Sequence, residues 1–151
     1  MPSDRVTVTV AETVHVRRTP EEVFDYTQDY AHRRDWDSLV TSAQVVGEDP
    51  RRVRLTMSGV GTFTLAYKLF RRGGRTSAAF EVERSSLFSG GGGSWDYAAR
   101  ADGTDWTQTS TVEFKNALVG WLLAPMVRWN MRRSSSKAMN RAKVIMESPT
   151  S

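Results

Sequence analysis

The sequence predicts an α+β fold: a curved sheet of seven antiparallel strands wrapped around one long C-terminal helix, with two short helices after the first strand. Three observations predict it. From Val6 the chain alternates with period two. Two glycine-bearing turn signals, at Gly73-Gly74 and Asp102-Gly103, each bring apolar residues of neighbouring strands onto one face. From about Asn116 to Glu147, apolar and then small residues recur at spacings of three and four.

In the first strand Val6, Val8, Val10, Val14 and Val16 share a face, and Thr7, Thr9, Thr13 and His15 share the other. Glu12 interrupts the valine face. Thr19-Pro20-Glu21-Glu22 is a helix start: Thr19 caps free backbone N–H groups, Pro20 needs no N–H at the first helical position, and Glu22 stands at the capping-box position. The helix should reach about Gln28 and bury Val23, Phe24 and Thr27. Asp29 can cap a second short helix ending at Trp36.

Strands return beyond residue 40. One around Ala43 to Val46 meets Val53/Leu55/Met57 through Glu48-Asp49-Pro50. The latter joins the common face if Gly59-Val60-Gly61 forms a three-residue loop. Pairing Arg72 with Arg75 sets Tyr67 opposite Phe80 and Leu65 opposite Val82, so Phe63, Leu65, Tyr67 and Leu69 share a face with Ala78, Phe80 and Val82. Pairing Ala101 with Thr104 sets Ala99 opposite Trp106 and Tyr97 opposite Gln108. Gly90 to Gly93 reads as a flexible loop between two strands, one that could gate a cavity. In the tail, Trp121, Ala124, Arg128, Met131, Ser135, Ala138, Ala142 and Ile145 form the inward face, and Pro125 should kink the helix or mark its first turn.

Composition narrows the possibilities. The 151 residues fit one domain, 1–151, with an ordered core from about 6 to 147. With no cysteine there is no disulfide framework, thiolate metal site or cysteine nucleophile. His15 and His32 stand isolated, without metal-ligand spacing, so neither a metal nor a cofactor is expected. The glycine run has no following Lys-Ser/Thr and is not a phosphate loop. The net charge is +4 and the pI about 9.8. The arginine doublets (17–18, 33–34, 51–52, 71–72 and 132–133) are scattered and read as solvated surface, which argues against nucleic acid. The first residues lack a continuous apolar stretch, and the run from Ala117 to Val127, 11 residues long, is too short to span a bilayer, so a cytoplasmic protein is expected. That run could touch a membrane or a second subunit, or close one end of a cavity. The oligomeric state is left open.

The segment from Glu12 through Thr19-Pro20-Glu21-Glu22-Val23-Phe24-Asp25 to Asp29, then Arg33-Arg34-Asp35-Trp36-Asp37, with Arg141 to Glu147 at the end, resembles the START-like, or SRPBCC, superfamily. It is most similar to the polyketide cyclase/dehydrase and lipid-transport branch, over nearly the whole chain. The resemblance implies a helix-grip fold with a cavity between the concave sheet face and the last helix.

The strand registers name its lining: Phe63, Leu65, Tyr67, Phe80, Trp95, Tyr97, Trp106 and Gln108 from the sheet, with Trp36, Trp121 and Trp129 from helices. These side chains either form a wall for a ring system or lipid chain, or simply fill the core. Glu12 is the candidate general acid or base, or the binder of a ligand hydroxyl, with Tyr67, Tyr97 and Gln108 as polar neighbours. A bulge could instead turn Glu12 to solvent, or an arginine of the last helix could pair with it. The expected function is binding or transport of a hydrophobic small molecule. The alternatives are an aromatase/cyclase or dehydratase acting on a polyketide-like chain, and a protein-interaction module using the basic surface.

Overall fold

A computed structural model describes residues 6–48, 51–57, 61–72, 75–84 and 88–148. The strands are β1 (Thr7–Val16), β2 (Val40–Glu48), β3 (Arg51–Met57), β4 (Gly61–Arg72), β5 (Arg75–Arg84), β6 (Phe88–Arg100) and β7 (Gly103–Phe114). Helices α1 (Pro20–Thr27) and α2 (Arg33–Trp36), with a 3-10 turn at Tyr30–His32 between them, follow β1, and α3 (Ala117–Glu147) closes the chain. All seven strands form one antiparallel sheet in the order β1-β7-β6-β5-β4-β3-β2. Only the β1–β7 pairing is non-local, so the first strand is held by the last.

The valine face of β1 is buried, and its threonines face outward, where Thr9 and Thr13 hydrogen-bond Thr111 and Thr107 of β7 at 3.0 and 2.8 Å. The Thr19 capping box forms as expected, with Val23, Phe24 and Thr27 buried. The Asp29 carboxylate caps the 3-10 turn by accepting from the Ala31 N–H. The β4–β5 register matches the expected one, with Tyr67 opposite Phe80 and Leu65 opposite Val82. Met57 pairs with Gly61, so Val53 and Leu55 join Leu65 in the core. The loops at 49–50, 58–60 and 73–74 lie outside the described residues, as do the side chains of Phe63, Leu69 and Val82.

Two expectations about glycine fail. The β6–β7 hairpin turns at Ala101-Asp102, with Arg100 opposite Gly103 and Tyr97 opposite Trp106, a register two residues from the expected one. A shift of two preserves every side chain's face. Gly103 serves a close approach instead of the turn: a Cβ there would lie 2.1 Å from the Val16 carbonyl oxygen. The run Gly90 to Gly93 is not a loop but part of the first half of β6. A Cβ on Gly93 would lie 2.1 Å from the Thr109 carbonyl oxygen and 2.8 Å from the Phe80 ring. Glycine in a central strand marks such close backbone approach and lets a sheet bend.

Helix α3 runs unbroken through Pro125, its first N–H groups capped by the Asn116 side chain. Its C-terminal half packs Ala138, Met139, Ala142 and Met146 into one core with Trp36, Tyr67, Trp95, Tyr97 and Trp106. Its N-terminal half packs Leu123, Ala124, Val127 and Met131 into a second core with Val8, Val10 and Phe114. The expected inward face holds at Ala124, Met131, Ala138 and Ala142. It fails at Trp121, which is 71% exposed, and at Arg128, because the ridge that packs on the sheet there runs through Gly120, Leu123, Ala124 and Val127.

Candidate functional site

The registers order the concave face into rows. One row is Val14–Trp106–Tyr97, the next Glu12–Gln108–Trp95–Ala78, and the next Val10–Ser110–Gly93–Phe80–Tyr67. Val14, Trp106 and Tyr97 on one side, and Val8 on the other, are buried. Between them Glu12, Gln108, Ser110, Gly93 and Phe80 are only half-buried, as are Met131 and Ser135 where α3 passes from one core to the other. Val10, Trp95, Ala78 and Tyr67 of the same rows are buried, so the half-buried residues form a stepped, partly solvated band from Glu12 through Gln108, Ser110 and Gly93 to Phe80. The polar residues in the register dictate it, because Glu12, Gln108 and Ser110 interrupt apolar stripes on adjacent strands. Gly93 adds no side chain to its floor.

The Glu12 register is continuous with its neighbours, so no bulge turns it out of the face. Among the described residues its carboxylate has no ion-pair or hydrogen-bond partner, and no arginine of α3 reaches it. Gln108 is its cross-strand neighbour. Tyr67 and Tyr97 are not polar partners of Glu12, because both hydroxyls are committed beneath the short helices.

The Gln28 amide donates to the Tyr97 hydroxyl at 3.1 Å, and the Tyr97 and Thr27 hydroxyls lie 2.7 Å apart, with Thr27 donating onward to the Val23 carbonyl. The Tyr30 hydroxyl donates to that of Tyr67. Burial is the largest cause raising the pKa of Tyr30, Tyr67 and Tyr97; for Tyr30 the neighbouring Tyr67 adds to it. All three stay protonated, as hydrogen-bonded wall rather than proton acceptors.

Trp36 of α2 meets Trp95 and Trp106 edge to face, with ring centroids 6.1 and 5.7 Å apart, and Tyr97 stacks on Trp106 at 6.5 Å. These rings are at most 1% exposed. They form the packed closed end of the concave face and leave little room between them. Their three indole N–H groups are buried without a protein partner. Leu65 and Tyr67 are likewise buried. Trp121 and Trp129, expected in the lining, stand on the outer face of α3 at 71% and 59% exposure.

Sequence reasoning placed Arg33 at the surface. It is buried: its Nε and Nη2 donate to the Asp37 carboxylate at 3.1 and 2.9 Å, and its guanidinium lies 4.4 Å from the Trp36 ring centroid and 4.9 Å from that of Trp95. Burial opposes the Arg33 charge, but Asp37, then Tyr30 and Tyr67, more than offset it, and the pKa is raised. Arg33 Nη1 has no hydrogen-bond partner. The i,i+4 spacing of Arg33 and Asp37 around Trp36 is the one signal in the sequence that couples them. It does not say that the pair is buried. A cleft of about 140 Å³ opens beside this pair, between the start of β2 and the middle of α3, lined by Asp37, Ser38, Leu39, Arg133, Ser134 and Lys137. It is too small for a drug-sized ligand, which needs roughly 300 Å³ or more. Among the described residues no cluster of three or more His, Asp or Glu could hold a metal ion. No helix there is long and apolar enough to cross a membrane.

The family model described as polyketide cyclase / dehydrase and lipid transport matches residues 7–147. The chain belongs to this family. Solved structures with this polyketide cyclase/dehydrase fold superpose on nearly all of it. A Thermus thermophilus protein is 19% identical with a TM-score of 0.76, covering 93% of this chain and 96% of its own. The Zhui aromatase/cyclase of a Streptomyces species is 17% identical with a TM-score of 0.76, covering 93% and 94%. A START superfamily protein of Mycobacterium smegmatis is 15% identical with a TM-score of 0.71, covering 92% and 97%. At these identities the likeness shows the shared helix-grip fold. No curated protein matches the chain in sequence.

Proposed function

We propose that this polyketide cyclase/dehydrase family member binds a hydrophobic small molecule carrying oxygen acceptors along the half-buried band of its concave face. One observation carries the reading: a half-buried strip holding the polar residues Glu12, Gln108 and Ser110 lies on the concave face between the two apolar cores. Packing normally closes such a gap, because each unfilled methyl-sized space costs about 1 kcal/mol. Phe80 supplies an aromatic side wall. Gln108 and Ser110 can hydrogen-bond carbonyl or hydroxyl oxygens.

The test is native mass spectrometry of the purified protein, with organic extraction, alongside titration with a hydrophobic fluorescent dye. Ser110→Trp, which puts a ring into the band, should abolish uptake while leaving the unfolding temperature within a few degrees. A protein that purifies empty, and whose dye binding Ser110→Trp leaves unchanged, overturns the reading.

A second reading, cyclisation or dehydration of a polyketide-like chain, is favoured by the unpartnered Glu12 carboxylate beside Gln108. Glu12 would take the proton from a carbon flanked by carbonyls while the Gln108 amide holds a carbonyl oxygen. Positioned proton transfer of this kind contributes about 100- to 10,000-fold in rate. Glu12→Gln should then remove turnover of a poly-β-carbonyl substrate and keep its binding. Unchanged turnover would exclude Glu12 as the base.

A further inference from the structure

The outer face of α3 carries the largest hydrophobic side chains that the described residues expose. Leu118, Trp121, Leu122, Met126 and Trp129 are 68, 71, 63, 53 and 59% exposed. Their spacings of three and four place them on one stripe, opposite the half-buried ridge of Leu123, Ala124, Val127 and Met131 that packs on the second core. The N-terminal half of this helix is thus apolar on two faces, and the fold uses only one. Scattered exposed apolar residues are ordinary, but a contiguous stripe marks an interaction surface.

Charge identifies the occupant. From Asn116 to Met146 the chain has six basic residues (Arg128, Arg132, Arg133, Lys137, Arg141 and Lys143) and no acidic one. Arg141 and Lys143 are committed to the backbone carbonyls of Asp35 and His15. Arg128, Arg132, Arg133 and Lys137 form no ion pair among the described residues. Arg132 and Arg133 follow the stripe one turn on, and the Arg133 guanidinium lies 5.2 Å from the Trp129 ring centroid. Tryptophans beside an apolar stripe with arginines at its edge are the arrangement of a helix lying in a lipid–water interface.

A second copy of the chain would set two such stripes and their arginines side by side, with no acidic residue between Asn116 and Met146 to offset the cations. A nucleic acid would offset the charge but give Leu118, Leu122 and Met126 nothing apolar to enter. We infer that the α3 stripe docks the protein onto an anionic lipid bilayer, with Trp121 and Trp129 at the headgroup level and Arg128, Arg132 and Arg133 on the lipid phosphates.

The experiment is co-sedimentation of the full chain with vesicles of phosphatidylcholine alone and of phosphatidylcholine mixed equally with phosphatidylglycerol. Tryptophan emission is followed in parallel. Binding should require the anionic lipid, weaken with salt, and shift the emission to the blue. Trp121→Ser/Trp129→Ser should lower partitioning at least tenfold and remove the shift, because Trp36, Trp95 and Trp106 are already buried. Arg132→Gln/Arg133→Gln should lower it about 25-fold, from about 1 kcal/mol per basic residue at an anionic surface. All four side chains project from the packed cores, so both variants should keep the wild-type unfolding temperature.

The inference is overturned by no anionic-vesicle binding, by equal binding to neutral vesicles, or by a dimer in light scattering that Trp121→Ser/Trp129→Ser dissolves. Displacement from vesicles by a short oligonucleotide in place of excess anionic lipid would assign the face to nucleic acid and overturn it too. Vesicle binding and ligand uptake are separable, since Ser110→Trp should leave the former intact.

Discussion

Removing the Asp37 charge probes what holds α2 against the aromatic core. Arg33 and Asp37 side chains are 7% and 8% exposed, so water screens their attraction little and the near-zero value of a surface ion pair does not apply. Asp37→Leu would leave the guanidinium buried with no counter-charge, held by the faces of Trp36, Trp95 and Tyr30. Breaking a buried pair in this way costs about 3–5 kcal/mol. For a chain of this length each kcal/mol moves the midpoint by roughly 2–4 °C, so thermal unfolding should fall by roughly 6–20 °C. Arg33→Met should cost less, because the thioether side chain keeps contact with the two indoles and the carboxylate left behind can turn toward the adjoining cleft. The double variant Arg33→Met/Asp37→Leu should recover most of the loss, since an apolar pair of similar volume replaces two desolvated charges. Urea unfolding followed by near-ultraviolet circular dichroism, at neutral pH, gives all four corners of the cycle. If Asp37→Leu costs under about 1 kcal/mol, or if the double variant costs the sum of the singles, the pair is solvated and independent, and the buried-charge account is wrong.

Further expectations concern the glycine strand, the first helix and the hairpin end. Gly93→Ala should destabilise by at least about 1–3 kcal/mol in the same assay, because its methyl group meets the Thr109 carbonyl and the Phe80 ring; a neutral substitution would mean that β6 does not approach its neighbours so closely. Thr19→Ala removes one side of the capping box and should cost about 1 kcal/mol, with Glu22→Ala largely non-additive to it, as a double-mutant cycle would show. The Asp105 carboxyl is held below its ordinary value of 3.8, first by the hydrogen bond from His15 and then by that from Arg100. A depressed pKa stabilises the fold above the unfolded value and loses that contribution as pH falls through the folded one. Asp105→Asn should therefore lower the midpoint near neutral pH, with the gap to wild type closing as the pH falls past the ordinary value of 3.8 and through the lowered folded one. A gap that persists in acid would assign the effect to packing.

Local chemistry was legible in the residues. Alternation wrote β1, the Thr19-Pro20-Glu21-Glu22 box wrote the start of α1, and the agreement of turn and pattern set Tyr67 against Phe80. Even the mistaken β6–β7 turn kept every side chain on its proper face, because an error of two residues leaves a period-two pattern unchanged. The polar interruption at Glu12 was visible for the same reason.

What composition could not tell was how closely two elements approach. Glycine looks alike whether it supplies a turn, a loop or room for a neighbouring carbonyl, so Gly90 to Gly93 and Gly103 took their meaning only from the strands beside them. An arginine doublet carries no mark of burial until Asp37, Trp36 and Trp95 close around one member of it. A helix with apolar residues on two faces does not declare which one the sheet will take. The sequence by itself determined most of the strands, the Thr19 cap and which side chains face inward, because those follow from neighbours a few residues apart. The tertiary structure alone decided that Trp36, Trp95 and Trp106 pack solid while the Glu12–Gln108–Ser110 band stays half open. It also decided that Trp121 and Trp129 face outward, because a long helix crossing a curved sheet can bury only the ridge that meets it.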